Sequence, residues 1–331
     1  MTETLFLTSA DVADLAEPAE YVTAVRDAYR QRGEGAPAEP RTTLTNADPP
    51  GMLTSYAAVL PETGAMGGYI YTAGFGESDA WFMTPVFDAD SGEPLALLDG
   101  AAMNPFKTGA TGAVGVDALA RADATDLAIV GSGSQARGQF KATATVRDFE
   151  TARVYSPTAA HRDAFATDMS ESTDVTVDAV GSAREALSGA DVVITATTAD
   201  KPVIDDADLA TGAHVTAMGQ YHPAKNELSP QTVERGVYVP DLRDRATQDA
   251  GSFLAALEAG VVDETDIHAE LGDVVAGEAP GRTAADQLTV FDSGGTGVET
   301  TAAAYMLYKR ARSAGRGTTI EFAPASDALT G

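Results

Sequence analysis

The 331-residue chain carries 22 lysines and arginines against 49 aspartates and glutamates, a formal net charge of −27. This balance argues against a nucleic-acid partner, because neutralising phosphates requires a basic patch. The sequence has no cysteine, which excludes disulfides and a thiol nucleophile, and no apolar run of about 18 residues that would span a membrane. Its N-terminal stretch lacks the basic and apolar regions of a signal peptide, so we expect a cytoplasmic protein.

The acidic residues are spread along the whole chain, and lysine is scarce, with 5 lysines beside 17 arginines. Self-repulsion of this size would strain a compact fold at low salt and is screened at high salt. Together with abundant Asp, Ala and Thr, the pattern favours a halophilic cytoplasm over a protein that is merely acidic.

The N-terminal region reads as α+β. Apolar residues at three-to-four spacing from Val12 to Tyr29 predict a helix, with Ser9 as the cap of its first turn, and GEGAPAEP (33–40) ends it. SGEP (91–94) predicts a hairpin turn, and a helix rich in small residues is predicted over 104–122. Aromatic and branched side chains predict strands over 52–60, 66–72, 81–87 and 95–99.

From residue 126 the pattern changes to alternating strands and helices, which predicts a parallel sheet with right-handed crossovers. We expect the final helix, 297–315, to pack back on the first domain. The predicted fold class is therefore α/β: a Rossmann domain (121–299) and a discontinuous α+β domain (1–120 and 300–331). The strands of the Rossmann domain are predicted over 127–131, 152–156, 174–180, 191–197, 214–219, 236–241 and 288–293.

A glycine-rich turn follows the first of these strands in DLAIVGSGSQARGQF (126–140). Gly131 permits a tight turn, Gly133 lets the backbone approach a diphosphate, and Ala136 keeps the following helix close to the strand. The helix start, with Ser134 and Gln135, offers N–H donors and the positive end of the helix dipole. The strand–turn–helix context favours a dinucleotide site over an ordinary glycine loop.

The end of the second Rossmann strand bears on the choice between NAD and NADP. An acid there would hold the ribose 2′-hydroxyl and repel a 2′-phosphate, but the strand ends in Tyr-Ser-Pro-Thr (155–158). Ser156 and Thr158 could bond a 2′-phosphate and Arg162 could pair with it, so NADP is favoured over NAD. Arg162 is equally compatible with a solvated helix position.

Several segments carry a resemblance to the family of ornithine cyclodeaminase, mu-crystallin and archaeal alanine dehydrogenase, which extends over nearly the whole chain. In chain order they are Arg41 after Pro40, DADSGEPLALLDG (88–100), KTGATGAV (107–114), IVGSGSQA (129–136), ADVVITATT (190–198), GAHVTAMG (212–219), KNEL (225–228), ELGDVVAGEAPGR (270–282) and TVFDSGGTG (289–297).

The resemblance implies a separate role for each of the two domains. In this family the first domain, completed by the C-terminal helix, binds substrate and forms a homodimer, often through a barrel shared by two subunits. The nicotinamide sits between the domains at the carboxyl ends of the parallel strands. Strand ends there supply the remaining expected cofactor-binding residues, which are Thr197, Thr198, Met218, Gly219, Asp292 and Ser293.

Three of the family's substrate positions differ in this chain. The strand lysine that contacts substrate is replaced by Tyr69, and the arginine that clamps the substrate carboxylate by Lys107. The acid that carries protons in cyclodeaminases is replaced by Tyr221. Arg41 matches the family's first carboxylate-binding arginine. An acid near the start of the C-terminal helix is replaced by Thr300, with Glu299 beside it.

These differences favour the reductive direction. Tyrosine, with an ordinary pKa of about 10, donates a proton better than it accepts one, and Lys107 keeps a cation without the bidentate fork of arginine. We expect Lys107 and Tyr221 to be catalytic, with His222 as an alternative acid. Arg41, Tyr69 and Lys107 are expected to bind substrate; a solvated Arg41 and a core Tyr69 are the alternatives.

The predicted function is an NAD(P)-dependent oxidoreductase acting on a small imino or amino acid, of the ketimine reductase or amino-acid dehydrogenase type. A true ornithine cyclodeaminase, using bound NAD without net redox, is one alternative. A binding protein that retains cofactor affinity without turnover is another. His161, His214 and His268 show no ligand spacing with other histidines, so we expect no metal site.

Overall fold

The computed structural model describes residues 2–76, 80–218 and 221–329. The chain divides into two compact units: the first runs to Lys107 and resumes at Thr296, and the second is Thr108–Gly295. The sequence placed these divisions at 120/121 and 299/300. The first division falls earlier because most of one helix, predicted as part of the first domain, packs within the second unit.

The first part of the chain supplies strands and helices in an α+β order. In sequence they are β1 (Thr2–Leu7), α1 (Ser9–Val12), α2 (Pro18–Gly33), β2 (Thr42–Ala47), β3 (Pro50–Leu60), β4 (Ala65–Ala73), β5 (Trp81–Asp88), β6 (Pro94–Asp99) and α3 (Asn104–Leu119).

The remainder alternates strand and helix before ending in a long helix, one strand and a short helix. In sequence the elements are β7 (Asp126–Val130), α4 (Ser134–Thr143), β8 (Thr151–Tyr155), α5 (Ala159–Ser172), β9 (Thr176–Ala179), α6 (Ala183–Leu187), β10 (Val192–Thr195), β11 (His214–Ala217), α7 (Pro230–Arg235), β12 (Val237–Pro240), α8 (Arg243–Asp249), α9 (Gly251–Glu258), α10 (Leu271–Ala276), β13 (Thr289–Asp292), α11 (Gly297–Ala314), β14 (Thr318–Phe322) and α12 (Ala325–Leu329).

The sheet of the first unit has the order β14-β1-β6-β5-β4-β3-β2. The predicted meander is confirmed as the antiparallel run β3 to β6; the hairpin turn predicted at 91–94 lies at 89–93, and Pro94 already belongs to β6. The sequence analysis missed β1, β2 and β14. The two outer strands β1 and β14 pair with each other, and β1 joins β6 in parallel, so long-range pairing rather than local pattern forms this edge.

The single N-terminal helix predicted from Val12 to Tyr29 is wrong, because Pro18 opens a new helix. Proline has no N–H to donate and its fixed φ suits a first helical position, so the chain forms α1 and then α2. Ser9 is also not the cap. Thr8 accepts the Asp11 N–H in a capping box, while the Ser9 hydroxyl donates to Asp99 Oδ2 over 2.7 Å.

The two faces of the first unit's sheet differ. The inner face is covered by α11, which contacts β3, β4 and β5 and packs beside α2. Close approach requires glycine there: a Cβ on Gly297 would lie 2.2 Å from the Ala57 carbonyl carbon. On the opposite, outer face the side chains are exposed and largely apolar, including Trp81 at 73% and Leu44 at 64% exposure.

In the second unit the strands are all parallel, in the order β12-β13-β11-β10-β7-β8-β9. Alternate residues of one strand enter different cores: Leu127 and Ile129 face one cluster, and Ala128 and Val130 the other. Burial on both sides explains the continuous apolar runs that predicted the central strands β7 and β10. Within the described residues, none of the helices has both the length and the apolar character needed to cross a bilayer.

The small residues of α3 allow it to lie against α4. A Cβ on Gly109 would approach the Gly138 carbonyl oxygen to 2.3 Å, and one on Gly112 would meet the Gln139 side chain at 1.8 Å. Gln139 Nε2 also donates to the Thr108 carbonyl over 2.7 Å. The small residues of α3 thus permit close packing against α4, the helix that follows the glycine turn.

Candidate functional site

The glycine turn joins β7 to α4 with two glycines in different roles. Gly131 has φ +121°, and a Cβ there would lie 2.2 Å from the Ala196 carbonyl oxygen. Gly133 has an ordinary φ of −75° and caps α4, yet nothing lies within 4 Å of where its Cβ would be. The open space in front of the first N–H groups of α4 fits a dinucleotide diphosphate. Ala136 is buried behind it.

Beside this turn, the end of β8 presents hydroxyls and a guanidinium. Ser132 Oγ donates to Ser156 Oγ over 3.0 Å, and Arg162 Nη1 donates to the Ser156 carbonyl oxygen over 3.0 Å. The Thr158 side chain is exposed. The hydrogen bond from α5 thus draws Arg162 to the strand end where the adenosine ribose lies in Rossmann domains.

The remaining predicted cofactor residues lie at the same edge of the second unit's sheet. Thr197 and Thr198 follow β10, Met218 follows β11, and Asp292 ends β13. Because the strands are parallel, their carboxyl ends meet at one edge, which is where open α/β sheets bind ligands. Gly219, the further residue predicted there, lies outside the described residues.

Asp292 and Ser293 already have partners within the protein. Arg245 is buried, with Nη2 2.7 Å from Asp292 Oδ1 and Nε 2.5 Å from Asp241 Oδ1. Asp241 Oδ2 accepts the Ser293 hydroxyl over 3.2 Å and the Gly294 N–H over 2.9 Å. Burial raises the pKa of Asp292, against the opposing effect of Arg245. These side chains shape the loop after β13.

In the first unit, the inner face of the sheet brings together three predicted substrate residues. Lys107 is 1% exposed and its Nζ lies 5.0 Å from the ring centre of Tyr69 and 6.0 Å from that of Tyr56. The Arg41 guanidinium, also buried, lies 5.7 Å from the Tyr56 ring centre. Glu299 contacts Lys107, with Oε1 3.4 Å from Nζ.

The electrostatics of this cluster follow from its burial. Burial lowers the pKa of Lys107, and the Glu299 carboxylate partly opposes that shift. Burial likewise raises the pKa of Tyr69 well above its ordinary value, and its hydroxyl donates to the Gly100 carbonyl over 3.0 Å. The Tyr69 side chain is therefore uncharged, and its ring lies beside the Lys107 ammonium.

The two predicted acids, Tyr221 and His222, lie in the second unit. Both side chains are exposed, Tyr221 at 43%, and His222 Nδ1 accepts the Ala224 N–H over 3.1 Å. Their segment is fastened through Glu227, whose Oε1 accepts the Thr197 N–H over 2.6 Å. It is therefore tied to the loop after β10, at the carboxyl edge of the sheet.

Sequence reasoning missed several buried polar residues around these sites. Glu299 was named only as the neighbour of Thr300, although T-x-x-E at 296–299 is a capping-box pattern. Arg245 carried a signal in its spacing, four residues from both Asp241 and Asp249. Glu227 lies in KNEL without having been assigned a role.

No group of three or more histidine or acidic side chains within 2–76, 80–218 and 221–329 is arranged to hold a metal ion. His214 has a different role: it is buried between Thr216 and Thr289, with each ring nitrogen 2.9 Å from a threonine hydroxyl.

Comparison with known proteins gives a consistent result. A family model described as the ornithine cyclodeaminase/mu-crystallin family matches residues 2–315. A Δ1-pyrroline-2-carboxylate reductase of Bacillus cereus is 36% identical over 236 residues, 71% of this chain and 72% of that protein.

Two solved structures share the fold over nearly the whole chain. The Thermococcus litoralis Δ1-pyrroline-2-carboxylate reductase in complex with NADH and L-proline superposes with a TM-score of 0.90 at 30% identity, covering 96% of this chain and all of that one. An archaeal alanine dehydrogenase dimer with bound NAD gives 0.90 at 27% identity, covering 97% and 100%.

Proposed function

The chain belongs to the ornithine cyclodeaminase/mu-crystallin family, and from that premise we propose that it reduces a small cyclic imino acid to the amino acid. The coarser function is established: it is an NAD(P)-dependent oxidoreductase acting on a small imino or amino acid. The observation that carries the finer proposal is the buried Lys107 cation beside Arg41 on the tyrosine-lined inner face.

In this proposal Arg41 and Lys107 hold the substrate carboxylate. Both cations are buried, so a carboxylate placed between them is attracted with little screening by water. Tyr69 and Tyr56 offer flat apolar surface to a planar ring. A cyclic imino acid, with one carboxylate and an unsaturated ring, matches these features.

The chemistry adds a hydride and a proton across the C=N bond. The dinucleotide supplies the hydride to the imine carbon when bound. A proton must reach the nitrogen, and we assign it to the Tyr221 hydroxyl, with the His222 imidazolium as the alternative. The chain has tyrosine where cyclodeaminases carry an acid, which supports reduction over ornithine cyclisation.

For the cofactor we propose a preference for NADP over NAD. The observation that supports it is Arg162 bonded at the end of β8, next to Ser156 and Thr158 and with no acid in 155–158. A guanidinium there pairs with a 2′-phosphate, whereas NAD recognition calls for a carboxylate.

We also propose that two copies associate through the outer face of the first unit's sheet, and that the protein works in a halophilic cytoplasm. The register places Leu44 beside Leu53, and Ile70 beside Met83, on that face. A groove of about 540 Å³ crosses it over Ala57 and Gly68. A second copy is the occupant we favour, because the similar archaeal alanine dehydrogenase is a dimer. The net charge of −27 supports the salt-rich setting.

The test follows NADPH and NADH absorbance in concentrated KCl with Δ1-pyrroline-2-carboxylate, Δ1-piperideine-2-carboxylate and, separately, pyruvate plus ammonium. We expect net oxidation with the cyclic imines, faster with NADPH. Faster turnover of pyruvate with ammonium would indicate an amino-acid dehydrogenase instead. Proline and ammonia formed from ornithine without net cofactor change would indicate a cyclodeaminase.

Two further results complete this test. Tight dinucleotide binding without turnover of any of these substrates would indicate a binding protein. If imines are reduced, Tyr221→Phe separates the two candidate acids: an unchanged kcat removes Tyr221 and leaves His222.

A further inference from the structure

Glu299 is a completely buried acid on the third residue of α11. Its Oε1 accepts the Thr296 N–H over 2.5 Å, and its Oε2 accepts the Thr296 hydroxyl over 2.5 Å and the Tyr29 hydroxyl over 3.1 Å. Lys107 Nζ lies 3.4 Å from Oε1. Thr296, before the start of α11, thus holds both carboxylate oxygens, and Tyr29 on α2 also holds Oε2.

A helix cap does not require this arrangement. The capping box needs only the contacts with Thr296, and most capping acids are solvated, because burying a carboxylate is costly unless it is paired. Here the acid is buried with a lysine that is itself 1% exposed. Removing one partner of such a pair leaves an uncompensated charge, so the two residues act together.

The groups around the Lys107 ammonium show what its contact with Glu299 does. Tyr69 and Tyr56 lie against the ammonium with their ring faces. Among the described residues of the first unit, the ionisable groups that face Lys107 include Glu299 on α11, Arg41 before β2, Tyr56 on β3, and Tyr69 and Tyr71 on β4. Glu299 is the acid among them, and its contact positions the ammonium at the ring faces.

We propose that Glu299 is a positioning residue: it holds the Lys107 ammonium at the tyrosine-lined face, where the cation meets the substrate carboxylate, and Tyr29 and Thr296 hold Glu299 in turn. The inference rests on the proposed function, because it takes Lys107 to be a substrate-binding group. It adds Glu299 and Tyr29, which do not themselves need to touch substrate, to the residues that determine carboxylate affinity.

The arrangement also has a pH consequence. Burial lowers the pKa of Lys107, and the nearby carboxylate raises it. Only the protonated lysine attracts a carboxylate, so activity is lost as pH rises through the pKa of Lys107. Removing the Glu299 charge lowers that pKa further, and the loss of activity then sets in at a lower pH.

The experiment compares the full-length wild type with Glu299→Gln in concentrated KCl. We expect the KM for the cyclic imine to rise about tenfold or more, the scale of a charge-assisted hydrogen bond. The alkaline limb of the kcat/KM profile should move to lower pH, and the Kd for NADPH should stay unchanged. Tyr29→Phe should raise KM in the same direction by less, and it tests the inference if Glu299→Gln does not fold.

Glu321→Gln is the matched control, since it removes the same charge from an exposed position on β14. It should match the wild type. An unchanged KM and alkaline limb in a folded Glu299→Gln, or a KM and an NADPH Kd that weaken together without any shift of the limb, would overturn the inference.

Failure of the proposed function gives a different result. If the wild type reduces no imine, that function fails, and carboxylate binding is then measured with pyrrole-2-carboxylate, an unreactive planar carboxylate. A Kd that rises in Glu299→Gln supports the positioning role, and equal Kd values overturn it.

Discussion

At the scale of single residues, the two glycines of the turn are required for different reasons, although both belong to one sequence motif. Gly131 is required by the protein itself, since its φ of +121° and the Ala196 carbonyl 2.2 Å from a Cβ leave no room for a side chain. Gly133 has an ordinary φ and open space around it. Its requirement therefore comes from what binds in front of α4.

This contrast gives a prediction. Gly133→Ala should leave the melting temperature unchanged and raise the Kd for NADPH by at least about tenfold, a loss of about 1.4 kcal/mol. Gly131→Ala should lower the free energy of unfolding by about 1–3 kcal/mol. Thermal unfolding and fluorescence titration with NADPH measure both. Wild-type affinity in Gly133→Ala would show that the diphosphate does not lie against this turn.

At the scale of secondary-structure elements, β11 carries a buried histidine as part of its packing. His214 begins the strand, fully buried, and contacts Thr216 and Thr289. Burial, reinforced by the positive charges of Arg282 and Arg147, lowers the pKa of His214 from 6.5 to about 3. The folded protein thus holds this ring neutral.

The sign of the pH effect follows from that shift. Below pH 6.5 the unfolded chain binds a proton at His214 that the folded chain does not bind until about pH 3. The free energy of unfolding should therefore fall, as pH decreases through this window, by up to about 1.4 kcal/mol per pH unit from this group.

The contribution of His214 to this pH dependence can be measured by denaturant unfolding of the wild type and of His214→Gln at fixed KCl. The measurements run between pH 7.5 and pH 5, roughly the range in which histidine titrates in unfolded chains. The difference in unfolding free energy between the two proteins should change with pH in favour of the variant on the acid side. Parallel curves would show that His214 is not the neutral buried group described.

At the scale of the whole molecule, the outer face of the first unit's sheet is the surface that we propose for the association of two copies. Large apolar patches on soluble proteins mark interaction sites, and this one combines Trp81, Leu44 and Met83 with the groove over Ala57. Because the chain has a net charge of −27, we expect the proposed association to depend on salt that screens repulsion between copies.

We therefore predict that Trp81→Glu converts a dimer into a monomer. Light scattering after gel filtration in concentrated KCl should give twice the 34.0 kDa chain mass for the wild type and the single mass for the variant. Phe322→Glu, on the edge strand β14 three strands away from β5 and 45% exposed, is the control and should remain dimeric. A monomeric wild type would refute this interface.

The sequence by itself determined the second unit. Its central strands β7 and β10 are buried on both faces and appear as continuous apolar runs, and Gly131, Gly133 and Ala136 mark the turn after β7. It also identified Arg41, Tyr69 and Lys107 as candidates, through resemblance of short segments. These features are local, so residues that are neighbours in the sequence are enough to identify them.

Only the tertiary structure decided the rest. Strand β1 is formed by pairing with β6 on one side and with the edge strand β14 on the other, some 90 and 310 residues away, and Lys107 meets Glu299 across 192 positions. Whether a buried acid caps a helix or holds a lysine depends on which elements pack together. Such contacts exist only after the chain has folded, because non-local burial rather than local preference gives them their energy.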